Sequence, residues 1–163
     1  MPHFKFFGSL DLAGVVREHY TSRMPVNKSS NLKKRVNRQQ VREMDVQIGF
    51  LEGVIRRDPR YVEALQLLGD NYTKRGRYVE GLKVDEKLTE LDPQNPLTFY
   101  NLACSCSLTD KFEAAAEALE KAMDLGYRDF KWLTRDPDLK KLRQHEVFER
   151  IRERIARLKG KSR

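Results

Sequence analysis

The stretch VEALQLLGDNYTKRGRYVEGLKVDEKLTELDPQN, residues 62–95, decides the fold, because its pattern returns in the 34 residues that follow. Residues 96–129 read PLTFYNLACSCSLTDKFEAAAEALEKAMDLGYRD. Two Asp-Pro pairs, Asp58-Pro59 and Asp92-Pro93, are separated by the same 34 residues. A fixed period of this length is typical of repeat proteins, so the sequence predicts an array of like units.

Each window contains two segments with apolar residues at helical spacing, on either side of a short turn. Gly76 lies in the turn of the first window, and Asp110 lies in the equivalent turn of the second. The spacing predicts helices over residues 62–74, 77–91, 97–108 and 111–125. One such hairpin cannot cover its own apolar face, so neighbouring hairpins are expected to stack.

Small residues recur at the positions where the two helices of a hairpin are expected to cross. Gly69 of the first window corresponds to Ala103 of the second, and Gly81 corresponds to Ala115. Small side chains let two helices pack near the short end of the usual separation of roughly 8–10 Å. The pattern therefore predicts closely packed hairpins in both windows.

These residues resemble the tetratricopeptide repeat (TPR) family, whose 34-residue pattern combines Leu-Gly, Tyr, Ala, an aromatic residue and a closing Pro. The first window carries the pattern at Leu65, Leu68-Gly69, Tyr72, Gly76, Tyr78, Gly81, Leu88 and Pro93. The second window carries it at Phe99, Leu102-Ala103, Cys106, Phe112, Ala115 and Ala122, with Tyr127 replacing the closing proline. The resemblance implies an all-α fold, a short right-handed superhelix of TPR helical hairpins with a C-terminal capping helix.

The remaining segments are assigned around these two repeats. The helical pattern that ends at Asp58-Pro59 is similar to the second helix of a preceding, incomplete repeat. After Gly126 the 34-residue spacing stops, and an apolar stripe near the C-terminus predicts a helix that caps the array. The predicted domains are a poorly ordered basic N-terminal segment (1–31), a TPR array (32–129, with half repeat 32–61 and repeats 62–95 and 96–129), capping helices (130–158) and a basic tail (159–163).

Charge divides the chain into three parts, although the total of +8 hides this. The net charge is +7 over residues 1–42, −6 over residues 43–129 and +7 over residues 130–163. No run of about 18 apolar residues occurs, so no transmembrane segment is expected. Two cysteines are too few for a disulfide framework and fit a reducing compartment. We therefore predict a cytoplasmic protein.

Residue patterns that indicate catalysis are sparse. His145-Glu146 begins like a zinc-protease helix motif, but Glu149 stands where the second histidine is required. Cys104 and Cys106 point about 200° apart on a helix, and neither has a further ligand nearby in sequence. The chain has no Gly-rich phosphate loop and no nucleophile-elbow serine. We therefore predict that the protein is not an enzyme and uses no cofactor or metal.

The TPR resemblance implies a protein-binding groove lined by the first helix of each hairpin. Carried over by position, the groove residues are Glu63, Gln66, Asp70, Thr73, Lys74, Leu97, Tyr100, Asn101, Cys104 and Leu108. Tyr100 is the expected anchor, since rigid aromatic residues contribute strongly at interfaces, and the competing interpretation is a half-buried structural residue. The acidic edge favours a neutral or basic protein or peptide segment. The protein is thus predicted to be an adaptor or assembly factor, and the short array makes self-association a further expectation.

The basic ends support an alternative function. One cluster contains Lys33, Lys34, Arg35, Arg38 and Arg42. The other contains Lys140, Lys141, Arg143, Arg150, Arg152, Arg154, Arg157, Lys159, Lys161 and Arg163. Such clusters can hold phosphates, which favours a nucleic-acid- or ribosome-associated helper, or they can bind an acidic protein. The competing interpretation is a solvated face of a charged helix.

Overall fold

Helix α1, Arg38–Arg57, begins the part of the chain that this computed structural model describes, which is residues 38–160. Ile48 and Leu51 are buried on one side of the helix. The helix stops before Asp58-Pro59, because the residue preceding a proline avoids the α conformation. The predictions for residues 1–31, and for residues 32–37 of the half repeat, lie outside the described residues.

Two helical hairpins follow α1. The first pairs α2, Val62–Arg75, with α3, Tyr78–Leu91. The second pairs α4, Pro96–Leu108, with α5, Phe112–Asp124. These bounds agree with the predicted helices to within one residue. Asn95 begins α4, because its side chain accepts a hydrogen bond from the Leu97 backbone N–H at 3.0 Å.

The turns of the two hairpins share one backbone conformation but differ in the residue that adopts it. Gly76 has a φ of 80°, and Asp110 has a φ of 61°. Glycine adopts this left-handed conformation without steric cost, and aspartate tolerates it better than most residues do. The left-handed residue closes the helix before it, so each hairpin turns back after a short connection.

The helices stack in chain order, and small residues set how closely they pack. A Cβ atom added at Gly69 would lie 3.2 Å from Asp85 Oδ1 and 3.5 Å from Val84 Cγ1. One added at Gly81 would lie 3.4 Å from Thr73 Oγ1. Asp85 is buried in α3 and accepts a hydrogen bond of 2.5 Å from the Ser105 hydroxyl of α4, which ties the first hairpin to the second.

The C-terminal segment folds back on the second hairpin. It consists of α6 (Phe130–Leu133), a 3-10 turn (Pro137–Leu139), α7 (Lys140–Gln144) and α8 (Phe148–Gly160). Leu133, Leu139 and Leu142 are fully buried against this hairpin. The start of the predicted tail was two residues too early, because α8 includes residues 159 and 160; residues 161–163 lie outside the described part.

The all-α prediction is confirmed: the described part of the chain contains helices and turns and no strand. Its apolar interior has two clusters. One joins α1 to the first hairpin around Leu65, and the other joins the second hairpin to the C-terminal segment around Leu119. Between residues 38 and 160, no helix is both long and apolar enough to cross a bilayer.

Candidate protein-binding surface

The first helix of the first hairpin presents an open polar stripe. This α2 stripe is the set predicted from the TPR resemblance, Glu63, Gln66, Asp70, Thr73 and Lys74. Glu63 and Lys74 are exposed, and the other three are half-buried. Thr73 Oγ1 is buried close to Gly81 of α3, so its hydroxyl faces the hairpin interior. The remaining members leave a mixed-charge surface on α2.

The equivalent α4 stripe, Leu97, Tyr100, Asn101, Cys104 and Leu108, is largely covered. Tyr100 is only 3% exposed and Cys104 only 1%. Leu97 is 45% exposed, while Asn101 and Leu108 are half-buried. The prediction that Tyr100 and Cys104 line an open groove is wrong, because the C-terminal segment packs on this side of α4.

Tyr100 is held by the C-terminal segment. Its hydroxyl donates a 2.7 Å hydrogen bond to Asp136 Oδ2, and its ring stacks on Tyr127 with ring centroids 4.5 Å apart. Burial raises the pKa of Tyr100 far above its usual value, and the neighbouring Cys104 and Asp136 raise it further. Tyr100 is therefore a neutral structural residue in this state and does not serve as an exposed anchor.

Asp136 is the residue through which the C-terminal segment covers α4. Its Oδ1 accepts a hydrogen bond of 2.9 Å from the Asp138 backbone N–H, which caps the 3-10 turn. Its backbone carbonyl accepts a 2.6 Å hydrogen bond from Arg143. The Asp138 carbonyl in turn accepts one of 2.8 Å from the Ser107 hydroxyl. The sequence pattern does not connect Asp136 to Tyr100, because 36 residues separate the two.

Cys104, Asp136 and Asp138 place three potential ligand atoms within 4.8 Å of one another. The Cys104 thiol lies 3.8 Å from Asp136 Oδ2, the oxygen that also accepts from Tyr100. Both Asp136 carboxylate oxygens therefore already have protein donors. These hydrogen bonds account for the proximity of the three groups as a capping arrangement.

The other cysteine lies on a different side of α4. Cys106 is buried in the core at the position that Tyr72 occupies in the first hairpin. Burial raises the pKa of the Cys106 thiol to about 11, so the thiolate needed for nucleophilic or metal chemistry is disfavoured. Cys104 faces Asp136 instead, so the two sulfur atoms do not form a single site.

No family model matches the chain. It is 38% identical to a TPR repeat-containing protein of Picosynechococcus over 68 residues, 42% of this chain and 18% of that protein. It is 36% identical to a protein of Arabidopsis thaliana named as chloroplastic over 84 residues, 50% of this chain and 25% of that protein. It is 34% identical to the peroxisomal targeting signal receptor of Komagataella phaffii over 91 residues, 54% and 16% of the two chains. The two helical hairpins of this chain are tetratricopeptide repeats.

Solved structures agree with this TPR assignment at the level of the fold. One structure of MamA has a TM-score of 0.54 at 23% identity, covering 77% of this chain and 68% of that chain. A MamA structure from Desulfovibrio magneticus RS-1 has a TM-score of 0.52 at 21% identity, covering 73% of this chain and 70% of that chain. The aligned segment spans a quarter or less of the length of each of these curated relatives.

The basic residues at the C-terminal end of this TPR protein take part in packing. Arg150 pairs with Glu120 at 3.1 Å, Lys141 pairs with Asp110 at 2.7 Å, and Arg154 pairs with Asp124. These pairs join the C-terminal segment to the second hairpin, while Arg152 pairs with Glu149 at 2.7 Å within α8, and Arg143 binds backbone carbonyls. These contacts engage five of the eight C-terminal cluster residues that the structure describes. Lys33, Lys34 and Arg35 of the N-terminal cluster lie outside the described residues.

Proposed function

We propose that this TPR protein is a non-catalytic adaptor that binds a partner segment along the α2 stripe and the exposed start of α4. The observation that carries the proposal is the contrast between equivalent positions: α2 is open where α4 is covered. Glu63, Asp70 and Lys74 offer charged groups on the open side, and Leu97 offers an apolar contact.

The chemistry of this surface favours a neutral or basic segment with an apolar residue. Two carboxylates, Glu63 and Asp70, lie on the stripe with one ammonium group at Lys74. Electrostatic complementarity at such a surface sets partner choice and association rate more than total affinity. The exposed Leu97 side chain supplies the contact that excludes water and adds to affinity.

The relatives support a role in protein binding. One of them is named as a receptor for a targeting signal, and another is named for its TPR repeats. One relative is named as chloroplastic, so the cytoplasmic location of this chain stays a prediction.

Site-specific crosslinking tests the proposal directly. A photoreactive amino acid replaces Gln66 on the α2 stripe, and a matched variant carries it at Glu86, an exposed position on α3. We expect a discrete protein adduct from cells for Gln66 and not for Glu86. The adduct should be lost when Leu97→Asp is added, and the identified partner, once purified, should bind wild-type protein directly.

The same experiment separates the adaptor from the alternative. Adducts that form equally at both positions would contradict binding on α2. A nuclease-sensitive nucleic-acid complex that dissociates at moderate salt would instead favour the basic ends, because phosphate contacts weaken steeply with salt.

A further inference from the structure

The contacts that cover α4 show that two positions of a first helix converge on a single group of the segment lying over them. The Tyr100 hydroxyl lies 2.7 Å from Asp136 Oδ2, and the Cys104 thiol lies 3.8 Å from the same oxygen. Tyr100 and Cys104 are four residues apart, so their side chains are neighbours on one face of the helix. One side chain of an occupant can therefore contact both positions.

The equivalent positions of α2 have the opposite hydrogen-bonding character. By the 34-residue period, Gln66 corresponds to Tyr100, and Asp70 corresponds to Cys104. The pair on α4 donates to a carboxylate, whereas the pair on α2 consists of a carboxylate and an amide whose oxygen also accepts. Gln66 and Asp70 are both half-buried, so solvent still reaches them. Where α4 favours an acceptor, α2 favours a donor.

The third position of this face does not repeat the α4 contact. On α4 the Ser107 hydroxyl donates to the Asp138 backbone carbonyl at 2.8 Å. Its equivalent on α2 is Thr73, whose Oγ1 would lie 3.4 Å from a Cβ atom added at Gly81 and so faces the hairpin interior. The choice of occupant on α2 therefore depends on the other two positions.

We propose that the α2 stripe selects a lysine or arginine side chain of the partner segment, bound between the Gln66 amide oxygen and the Asp70 carboxylate. This Asp70 subsite rests on the proposed adaptor function and specifies its partner. The cationic group takes the place against α2 that Asp136 takes against α4. An ammonium or guanidinium group has donors for both oxygens, and its charge is opposite to that of Asp70.

The charges along the stripe place the subsite on one side of Asp70. Gln66 lies one helical turn from Glu63 and one from Asp70, so a cation at Gln66 has a carboxylate on either side. Lys74 lies one turn beyond Asp70 and competes for its carboxylate from the other direction. The members of the α4 stripe that solvent reaches are uncharged: Leu97, Asn101 and Leu108.

The position of Leu97 adds a spacing to the expected partner. Leu97 corresponds by the period to Glu63, which lies seven residues before Asp70. At the helical rise of about 1.5 Å per residue, the two levels are about 10 Å apart along the helix. An extended segment covers about 3.3 Å per residue. The basic residue of the partner should therefore lie at least about three positions from the residue that contacts Leu97.

Selection of random peptides displayed on phage, with the full-length protein as bait, tests the proposal. Wild-type protein should select peptides that share a lysine or arginine and an apolar residue at this spacing. Asp70→Lys should lose these peptides and select an acidic residue in place of the basic one, because the charge at the subsite is reversed. Glu86→Lys, at an exposed position on α3, is the matched control and should select the wild-type motif. Circular dichroism reports whether each variant is folded.

Fluorescence anisotropy with a selected peptide then measures the coupling between its basic residue and Asp70. Asp70→Asn should weaken binding about fivefold, and so should replacing the basic residue of the peptide by methionine. The methionine peptide should bind wild type and Asp70→Asn equally, because the pair acts as a unit. Lys74→Ala should tighten binding of the basic peptide about twofold and leave the methionine peptide unchanged.

Two outcomes separate the subsite from the adaptor function. Peptides that are lost with Leu97→Asp but carry no basic residue, or whose basic residue binds equally well to Asp70→Asn, would overturn the Asp70 subsite and leave the adaptor function in place. A selection in which no peptide depends on Leu97 or on the α2 stripe would contradict the adaptor function, and the subsite with it.

Discussion

The α2 and α4 stripes occupy the same positions of the repeat, yet they differ in environment. Gln66 and Asp70 of α2 are half-buried, whereas their counterparts Tyr100 and Cys104 are almost completely buried. The difference arises because Asp136 reaches α4 from the C-terminal segment, while no equivalent segment covers α2 within residues 38–160. A repeat position thus determines the direction in which a side chain points, and its neighbours determine whether solvent reaches it.

A second comparison concerns the tyrosines that join each first helix to an element outside its hairpin. Tyr72 donates a 2.6 Å hydrogen bond to Glu52 of the preceding helix, at a partly exposed site. Tyr100 donates to Asp136 of the following segment, at a buried site. The same chemical group should therefore contribute more to stability in the second hairpin than in the first.

The largest expected loss of stability concerns a feature that both hairpins share, the close crossing of their two helices. Gly69→Leu should lower the free energy of unfolding by about 3 kcal/mol, because the new side chain collides with Asp85, which is held by Ser105. Urea unfolding followed by circular dichroism measures this loss. Lys83→Leu, at an exposed position on α3, is the control and should change the free energy of unfolding by less than about 0.5 kcal/mol. Equal stability of the two variants would contradict the close crossing.

The second-largest loss of stability tests whether Asp136 keeps the α4 stripe covered while the α2 stripe stays open. Asp136→Ala should lower the free energy of unfolding by about 2–3 kcal/mol, because it removes a helix cap and leaves the buried Tyr100 hydroxyl without its acceptor. It should also expose Cys104, so the native protein should react faster with a thiol reagent. Asp129→Ala removes the exposed cap of α6 and should cost about 1 kcal/mol with no gain in thiol reactivity. Unchanged thiol reactivity in Asp136→Ala would show that other contacts keep α4 covered.

A smaller loss in the free energy of unfolding is expected when only the hydroxyl of Tyr100 is removed. Tyr100→Phe keeps the ring on Tyr127 and loses one hydrogen bond, so it should cost about 1 kcal/mol at pH 7. The pKa of Tyr100 is raised by burial in the folded chain, while the unfolded chain releases this proton near pH 10. The free energy of unfolding of the wild type should therefore fall as the pH rises above about 10. That of Tyr100→Phe should fall less steeply. Parallel pH profiles of the two proteins, measured by urea unfolding, would contradict this assignment.

The smallest loss of stability is expected at the tyrosine hydrogen bond of the first hairpin, between Tyr72 and Glu52. Tyr72→Phe should cost about 0.5–1 kcal/mol, since its acceptor Glu52 remains solvated after the change. Burial and the bond to Glu52 raise the pKa of Tyr72 to about 12, so this hydroxyl also stays protonated at neutral pH. Thermal unfolding of both Tyr→Phe variants side by side measures the difference. A larger loss for Tyr72→Phe than for Tyr100→Phe would reverse the comparison.

Much of the helical framework could be predicted because its signals are local. The bounds of α2 to α5 follow, to within one residue, from apolar spacing and from the turn positions at Gly76 and Asp110. The small residues at Gly69 and Gly81 correctly indicated close helix contacts. Each of these features depends on residues within one or two turns, or on a period visible in the sequence.

The candidate site was less predictable because its contacts join distant parts of the chain. Tyr100 and Asp136 are separated by 36 residues, and Glu120 and Arg150 by 30. Their positions alone do not show that the C-terminal segment folds onto α4 and α5. The position-based transfer of groove residues could not show that this side of α4 is already covered by the C-terminal segment.

The sequence by itself determined the helices, their order, the repeat and the side of each helix on which a residue lies, because periodicity and turn chemistry act locally. Only the tertiary structure decided which surfaces remain available. Asp136 covers α4, arginines of α8 pair with acids of α5, and the faces of α2 and α1 stay open among the described residues. Burial depends on the neighbour that packs against a residue, and in this chain that neighbour lies far away in the sequence.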